Sequence, residues 1–243
     1  MRYVISDIHG NYALFIALLE KIGFSDDDEL YVCGDIIEKG KDSVKLAKFI
    51  FSMPNAYVIM GNHEDAFVKY YDSLMKKHDG DFDEVLGELR KYLSESGGDG
   101  ELLDWDVVEK IEFLPYYIEK EDFICVHAGV TLDSHGVVLP LASIPEEELV
   151  FNRSFKNPEV IPNESKCVFF GHTATSSVIG ENRIVAYKRR RAVFGDIRDY
   201  AKVHLDTCTF VSGVLGCFCI DTCRAHYVRI ESVDCGAFMI EVD

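Results

Sequence analysis

Apolar and polar positions alternate in a regular way over the first sixty residues. Tyr3-Val4-Ile5 is a short β-type run that gives way to a polar stretch, Asp7 to Asn11. A helical period follows, with Leu14, Leu18 and Ile22 on one face; Asn11 is placed to cap its start and Gly23 its end. Leu30-Tyr31-Val32-Cys33 reads as a second strand, Gly34 to Gly40 as a loop, and Val44, Ala47 and Ile50 as a helix that stops before Pro54. Tyr57-Val58-Ile59-Met60 reads as a third strand, and Gly61-Asn62-His63-Glu64 as a third loop. Strands alternating with helices predict a parallel sheet and an α/β fold.

The pattern then changes. Ala66 to Phe113 reads as mostly helical, broken by loops at His78 to Asp83 and Ser94 to Gly100. Strand patterns return at Tyr116 to Glu119, Phe123 to Val126, Cys167 to Phe170, Ile184 to Tyr187, Val203 to Leu205, Leu215 to Ile220 and His226 to Ile230. With no linker, repeat or low-complexity segment, the expectation is one domain, residues 1–243, with a helical insertion at about 66–113.

The polar positions carry the chemistry. Each of the first three strands runs into a loop with metal-type ligands: Asp7 and His9, then Asp35, then Asn62 and His63. Val126 leads into His127, and Phe170 into Gly171-His172. In open α/β sheets, sites form beyond the carboxyl ends of strands, so five loops are expected to share one crevice. Carboxylate, amide oxygen and imidazole suit manganese, iron or zinc. Asp35 is well suited to bridge two cations, and a pair of cations clamps the attacking and leaving oxygens of a phosphoryl displacement.

Composition narrows this further. The formal charge is −17, a surface that repels phosphate backbones, so nucleic acid is excluded as a partner. The longest uncharged run, Thr207 to Ile220, is too short to span a bilayer, and the start of the chain does not read as a signal peptide. The expectation is a cytoplasmic protein without a membrane partner. None of the eight cysteines forms a CxxC pair, and no GxSxG elbow occurs. They read as reduced, buried thiols, with a second metal site around Cys217, Cys219 and Cys223 as the competing reading. Lys188-Arg189-Arg190-Arg191 reads as a solvated strand end or salt-bridge partner, or else as an edge gripping a further phosphate or an acidic peptide.

Five segments together resemble the signature blocks of the metallophosphoesterases: Ser6-Asp7-Ile8-His9-Gly10, Gly34-Asp35-Ile36-Ile37-Glu38-Lys39-Gly40, Gly61-Asn62-His63-Glu64, His127-Ala128-Gly129 and Gly171-His172-Thr173. Phe151-Asn152-Arg153 and His204-Leu205-Asp206-Thr207 are similar to segments of the phosphoprotein phosphatase branch, which also includes relatives acting as diadenosine tetraphosphatases. The resemblance implies a calcineurin-like sandwich of two mixed β-sheets flanked by helices. It implies that Asp7 and His9 hold a first metal, Asp35 bridges, and Asn62, His127 and His172 hold a second, the pair being manganese, with iron or zinc as alternatives. It makes His63 the acid that protonates the leaving oxygen, oriented by Glu38, and gives Lys39, Arg153 and Asn62 to the substrate phosphate. The implied reaction is in-line attack on phosphorus by a hydroxide bridging the metals.

The expected function is hydrolysis of phosphate monoesters, on phosphoserine or phosphothreonine of a protein or peptide, or on a small phosphoester. The alternatives are a bis(5'-nucleosyl)-tetraphosphatase and a metal-binding regulatory protein with impaired catalysis. Gly171-His172-Thr173-Ala174 lacks the second His that nuclease relatives carry. Glu38-Lys39 stands where the family has Asp-Arg, and Cys208 where it has Gly.

Overall fold

Alternation within the strands places two sheets face to face. The structure is a computed structural model that describes residues 1–189, 193–233 and 236–242, with side chains through 230. Strand β1 (Arg2–Ile5) lies between β2 (Glu29–Val32) and the C-terminal β9 (Val214–Cys219), parallel to the first and antiparallel to the second. β3 (Ala56–Val58) extends that sheet beyond β2, and β10 (Arg224–Val233) and β11 (Gly236–Val242) extend it beyond β9. The second sheet runs in the order β4 (Tyr117–Glu119), β5 (Phe123–Val126), β6 (Cys167–Phe170), β8 (Tyr200–His204), β7 (Val185–Lys188). β5, β6 and β8 are parallel, and both edges are antiparallel. This is the expected pair of mixed sheets. β11 has no counterpart among the strands read from the sequence.

Period-two alternation decides what each face buries. Val4, Tyr31 and Cys33 pack between the sheets against Phe123, Cys125, Phe169 and Phe218. Tyr3, Ile5, Leu30 and Val32 face the other way, onto α1 (Tyr12–Ile22) and α2 (Ser43–Ser52). The outer face of the second sheet, Ile124, Val126, Val168 and Phe170, is covered by Leu141, Leu149 and Phe155. Burying three apolar layers at about 25 cal/mol per Å² makes the strand ends, and hence the loops on them, rigid platforms.

Three helices fill the segment read as an insertion: α3 (Asn62–Lys77), α4 (Phe82–Glu95) and α5 (Trp105–Glu112). Their apolar stripes, among them Phe67, Leu74, Val85, Leu89, Leu93 and Ile111, join the core of the first sheet. Asp81 caps α4 by accepting from the amides of Asp83 and Glu84, and Asp104 caps α5 through Val107. Asp99 reaches back to α2, accepting from Val44 at 2.7 Å and Lys45 at 3.0 Å, so the loop after α4 closes a helix over fifty positions earlier.

Two local expectations change. Asn11 does not cap α1 with its oxygen; its amide donates to the carbonyls of Ile8 and His9 and fixes the first site loop. β3 ends at Val58, and Asn62 and His63 form the first turn of α3 rather than a loop. Gly23 does end α1 in the left-handed conformation, at φ 62°. Among the described residues no helix is long and apolar enough to cross a membrane.

Candidate metal centre

The loops after β1 and β2 are laced together by backbone bonds, Asp7 to Gly34 O at 3.2 Å, His9 to Asp35 O at 2.9 Å and Gly10 to Ile36 O at 2.9 Å. The loop after β6 joins the loop after β5 through Gly171 to His127 O at 2.7 Å. This close weave needs small residues. A Cβ on Gly171 would lie 2.0 Å from Ser6 Oγ and 2.1 Å from Asp7 Oδ2, and one on Gly61 would lie 2.3 Å from Asp35 Oδ1. The weave also bends the chain. Nine non-glycine residues among those described have left-handed φ, and six of them are Asp7, His9, Asp35, Glu38, Lys39 and His172. Each costs on the order of 1 kcal/mol or more, and such strain gathers where side chains must point at one spot.

The loops bring the predicted ligands together. Asp35 Oδ2 lies 3.5 Å from His9 Nε2 and 3.8 Å from His63 Nε2, and Asp35 Oδ1 lies 3.5 Å from His127 Nε2. Asn62 Oδ1 is 2.9 Å from His127 Nε2 and 2.7 Å from His172 Nδ1. Two clusters of potential ligand atoms, each within 4.8 Å, share Asp35: one adds His9 and His63, the other Asp7 and His127. Asp35 is the one carboxylate common to both groups. The partition differs from the expected one, because His63 groups with His9, and Asp7 with His127. No comparable group forms around Cys217, Cys219 and Cys223 among the described residues. Cys217 and Cys219 are buried on β9, while Cys235 lies outside the described residues.

These atoms fit divalent cations on chemical grounds. His9 Nδ1 lies 3.2 Å from the carbonyl of Ile37, and His127 Nδ1 lies 2.7 Å from that of Cys33. Each imidazole can donate its Nδ1–H outward, leaving the Nε2 lone pair facing the site. His172 Nε2 is buried without a partner. Burial holds His9 and His127 below the ordinary histidine range, and burial with nearby positive groups pushes His172 down to about 3. Burial pushes Asp7 and Asp35 up, and Asp206, behind Asp7, is raised by burial and by the charge of Asp7. Neutral imidazoles and crowded buried carboxylates are what bound cations would satisfy.

The periphery is organised differently. His63 Nδ1 bonds Glu38 Oε2 at 2.6 Å, and its own amide donates to Asp35 Oδ1 at 3.1 Å. Burial opposes the imidazolium, but the Glu38 bond and the Asp35 charge outweigh it and raise His63 above its ordinary range. The Lys39 ammonium lies 2.9 Å from His9 Nε2. Arg153 is exposed; among the described residues it makes no ion pair, and its charge helps to depress His172. Of the basic run, Arg189 spends its guanidinium on the carbonyls of Arg198, Pro162 and Lys166, which makes it a loop staple. Arg190 and Arg191 lie outside the described residues.

Three supporting residues carry no role in the sequence reading. Glu64, fully buried, accepts from the amides of Asp35, Ile36, Ile37 and Gly61 at 2.7–3.1 Å, tying the second loop to the start of α3. Ser6 Oγ donates to Asp7. Tyr92 on α4 donates to Glu38 Oε1.

The calcineurin-like phosphoesterase family model matches residues 2–198. The chain belongs to the calcineurin-like phosphoesterase family. As a member of this family of metal-dependent phosphoester hydrolases, it is similar to the symmetrical bis(5'-nucleosyl)-tetraphosphatase of Buchnera aphidicola subsp. Acyrthosiphon pisum (strain 5A), 34% identical over 132 residues, 53% of this chain and 44% of that protein. The corresponding enzyme of Wigglesworthia glossinidia brevipalpis is 36% identical over the same fractions. The match thus spans less than half the length of these curated relatives. Among solved structures, one assigned as a diadenosine tetraphosphatase superposes with a TM-score of 0.67 at 18% identity, covering 94% of this chain and 92% of that one. A metallophosphoesterase from Sphaerobacter thermophilus gives 0.54 at 14% identity, with 95% and 88% covered. These two show a shared fold.

Proposed function

We propose that this phosphoesterase hydrolyses dinucleoside polyphosphates, splitting a dinucleoside tetraphosphate into two nucleoside diphosphates. The observation that carries this reading is the similarity to curated symmetrical tetraphosphatases. It displaces the phosphoserine and phosphothreonine expectation as the first reading. A feature of the surface supports it. Arg153 opens onto a groove of about 520 Å³ lined by Lys156, Asn157, Ser177 and Val178. Lys156 donates to Ser177 Oγ at 3.2 Å, so two cationic side chains border this groove, and charges of that kind suit a chain of phosphates. We take residues 1–243 as one catalytic unit, because β9 and β10 complete the sheet that β1 begins.

Asp7, His9, Asp35, Asn62, His127 and His172 would hold two divalent cations. Bound there, the cations would supply Lewis acidity toward phosphoryl oxygen and lower the pKa of water. Lys39 and Arg153 orient the reacting phosphate by charge, and Asn62 adds its amide. His63 keeps its Nδ1 on Glu38 and offers the Nε2 proton to the departing oxygen. The buried carboxylates of Asp7 and Asp35 would serve the cations, so the reading calls for no side-chain nucleophile.

The test is turnover of diadenosine tetraphosphate against a phosphoserine peptide, with manganese, followed by nucleotide chromatography. ADP as sole product, with kcat/KM at least about 100-fold above the peptide's, is expected. A faster peptide would return the protein-phosphatase reading. No turnover of either substrate, or of p-nitrophenyl phosphate in any divalent metal, would leave the regulatory one.

A further inference from the structure

Both oxygens of Glu38 are engaged, and by different parts of the fold. Oε2 holds His63 Nδ1 at 2.6 Å, and Oε1 accepts from the hydroxyl of Tyr92. Tyr92 sits near the end of α4, between the buried Leu89 and Leu93. Its ring lies 5.0 Å from that of Tyr70 and 6.3 Å from that of Phe67. A glutamate side chain has three rotatable bonds, and a single hydrogen bond to His63 leaves the carboxylate plane free to swing. A second donor, fixed on a packed helix, removes that freedom and with it much of the freedom of the imidazole. The ring then stays with Nε2 directed at Asp35 Oδ2, 3.8 Å away, the side on which the leaving oxygen must arrive.

We propose that Tyr92 is a positioning residue for His63, acting through Glu38, and that α4 thereby takes part in orienting the proton donor. The inference rests on His63 being that donor. It makes the helical segment a functional part of the site, although none of its other side chains between 78 and 113 reaches the candidate ligands among the contacts described. The segment's loop at Asp99 also holds the start of α2, just beyond Glu38 and Lys39, so α4 is anchored at both ends of the contact.

The experiment uses the loaded full chain with phenyl phosphate, whose poor leaving group needs a proton, and p-nitrophenyl phosphate, whose good one does not. Tyr92→Phe removes one oxygen and keeps the ring. The expected result is a fall in kcat of about 10-fold on phenyl phosphate, KM unchanged, with a much smaller fall on p-nitrophenyl phosphate. In a His63→Asn background the same change should have no further effect. The zinc-loaded protein gives a reading without turnover: the low-field Nδ1 proton signal of His63 should broaden or move upfield in Tyr92→Phe. Equal loss on both substrates, an undiminished effect in the His63→Asn background, or an unmoved proton signal would overturn the inference. If His63→Asn itself leaves phenyl phosphate turnover intact, the donor assignment fails first, a result distinct from failure of Tyr92.

Discussion

Glu64→Gln changes one atom and should loosen the whole centre. The carboxylate accepts four buried amides: Oε1 takes Ile36 at 2.9 Å and Ile37 at 3.1 Å, and Oε2 takes Asp35 at 2.7 Å and Gly61 at 3.0 Å. A glutamine can keep one pair. Its NH₂ group must then face two N–H donors across the same short distances. Two hydrogen bonds to a charged acceptor, at about 1.5–3 kcal/mol each, are lost. Burial raises Glu64 above the ordinary glutamate range, so removing the charge returns part of that. The net loss should be about 2–4 kcal/mol, or about 5–15 °C in melting temperature for a chain of this size. Because the same carboxylate ties the Asp35 loop to the turn bearing Asn62 and His63, manganese affinity should fall by about 10–100-fold. Scanning calorimetry and titration calorimetry read the two effects. A melting temperature within about 2 °C of wild type, with unchanged manganese affinity, would show that Glu64 does not hold the loops together.

His63→Asn should slow turnover by about 10²–10³-fold with metal content unchanged by elemental analysis; lost metal would make His63 a ligand, as its grouping with His9 and Asp35 permits. Cys208 sits at φ 57° and ψ 45°, so Cys208→Gly should stabilise by about 1 kcal/mol in denaturant unfolding; a destabilised variant would contradict the strain argument. Lys202 is buried with its ammonium on the carbonyls of Phe155 and Asn157, and burial lowers its pKa to about 7. The unfolded chain then holds a proton that the folded one releases between about pH 7 and 10. Stability should therefore rise with pH across that window, and the rise should shrink in Lys202→Met, measured by urea unfolding at pH 7 and 9. An identical pH slope in both proteins would show that Lys202 stays charged.

The strands and the ligands on their loops were legible because both signals are local. An apolar run ending in Asp, Asn or His is visible in a few residues, and the five endings come from strands of both sheets. What was not legible depends on contacts between distant segments. Glu64 stands inside a quoted motif, yet its role appears only when α3 begins at Asn62 and turns the carboxylate back on Asp35. Tyr92 lies 54 positions from Glu38 and looks like any helical core tyrosine. Asp206 stood in a quoted segment, but its nearness to Asp7 follows only once β8 packs beside β6. Asn11 misled because capping preference describes an isolated helix, whereas here its amide is drawn to the carbonyls of the strained loop.

Anomalous diffraction from crystals soaked in manganese tests the central claim most directly. Two ions roughly 3.5–4 Å apart are predicted, both touching Asp35, with imidazole nitrogens of His9, His127 and His172 completing their shells. A single ion that avoids Asp35, or manganese found only elsewhere on the molecule, would contradict it.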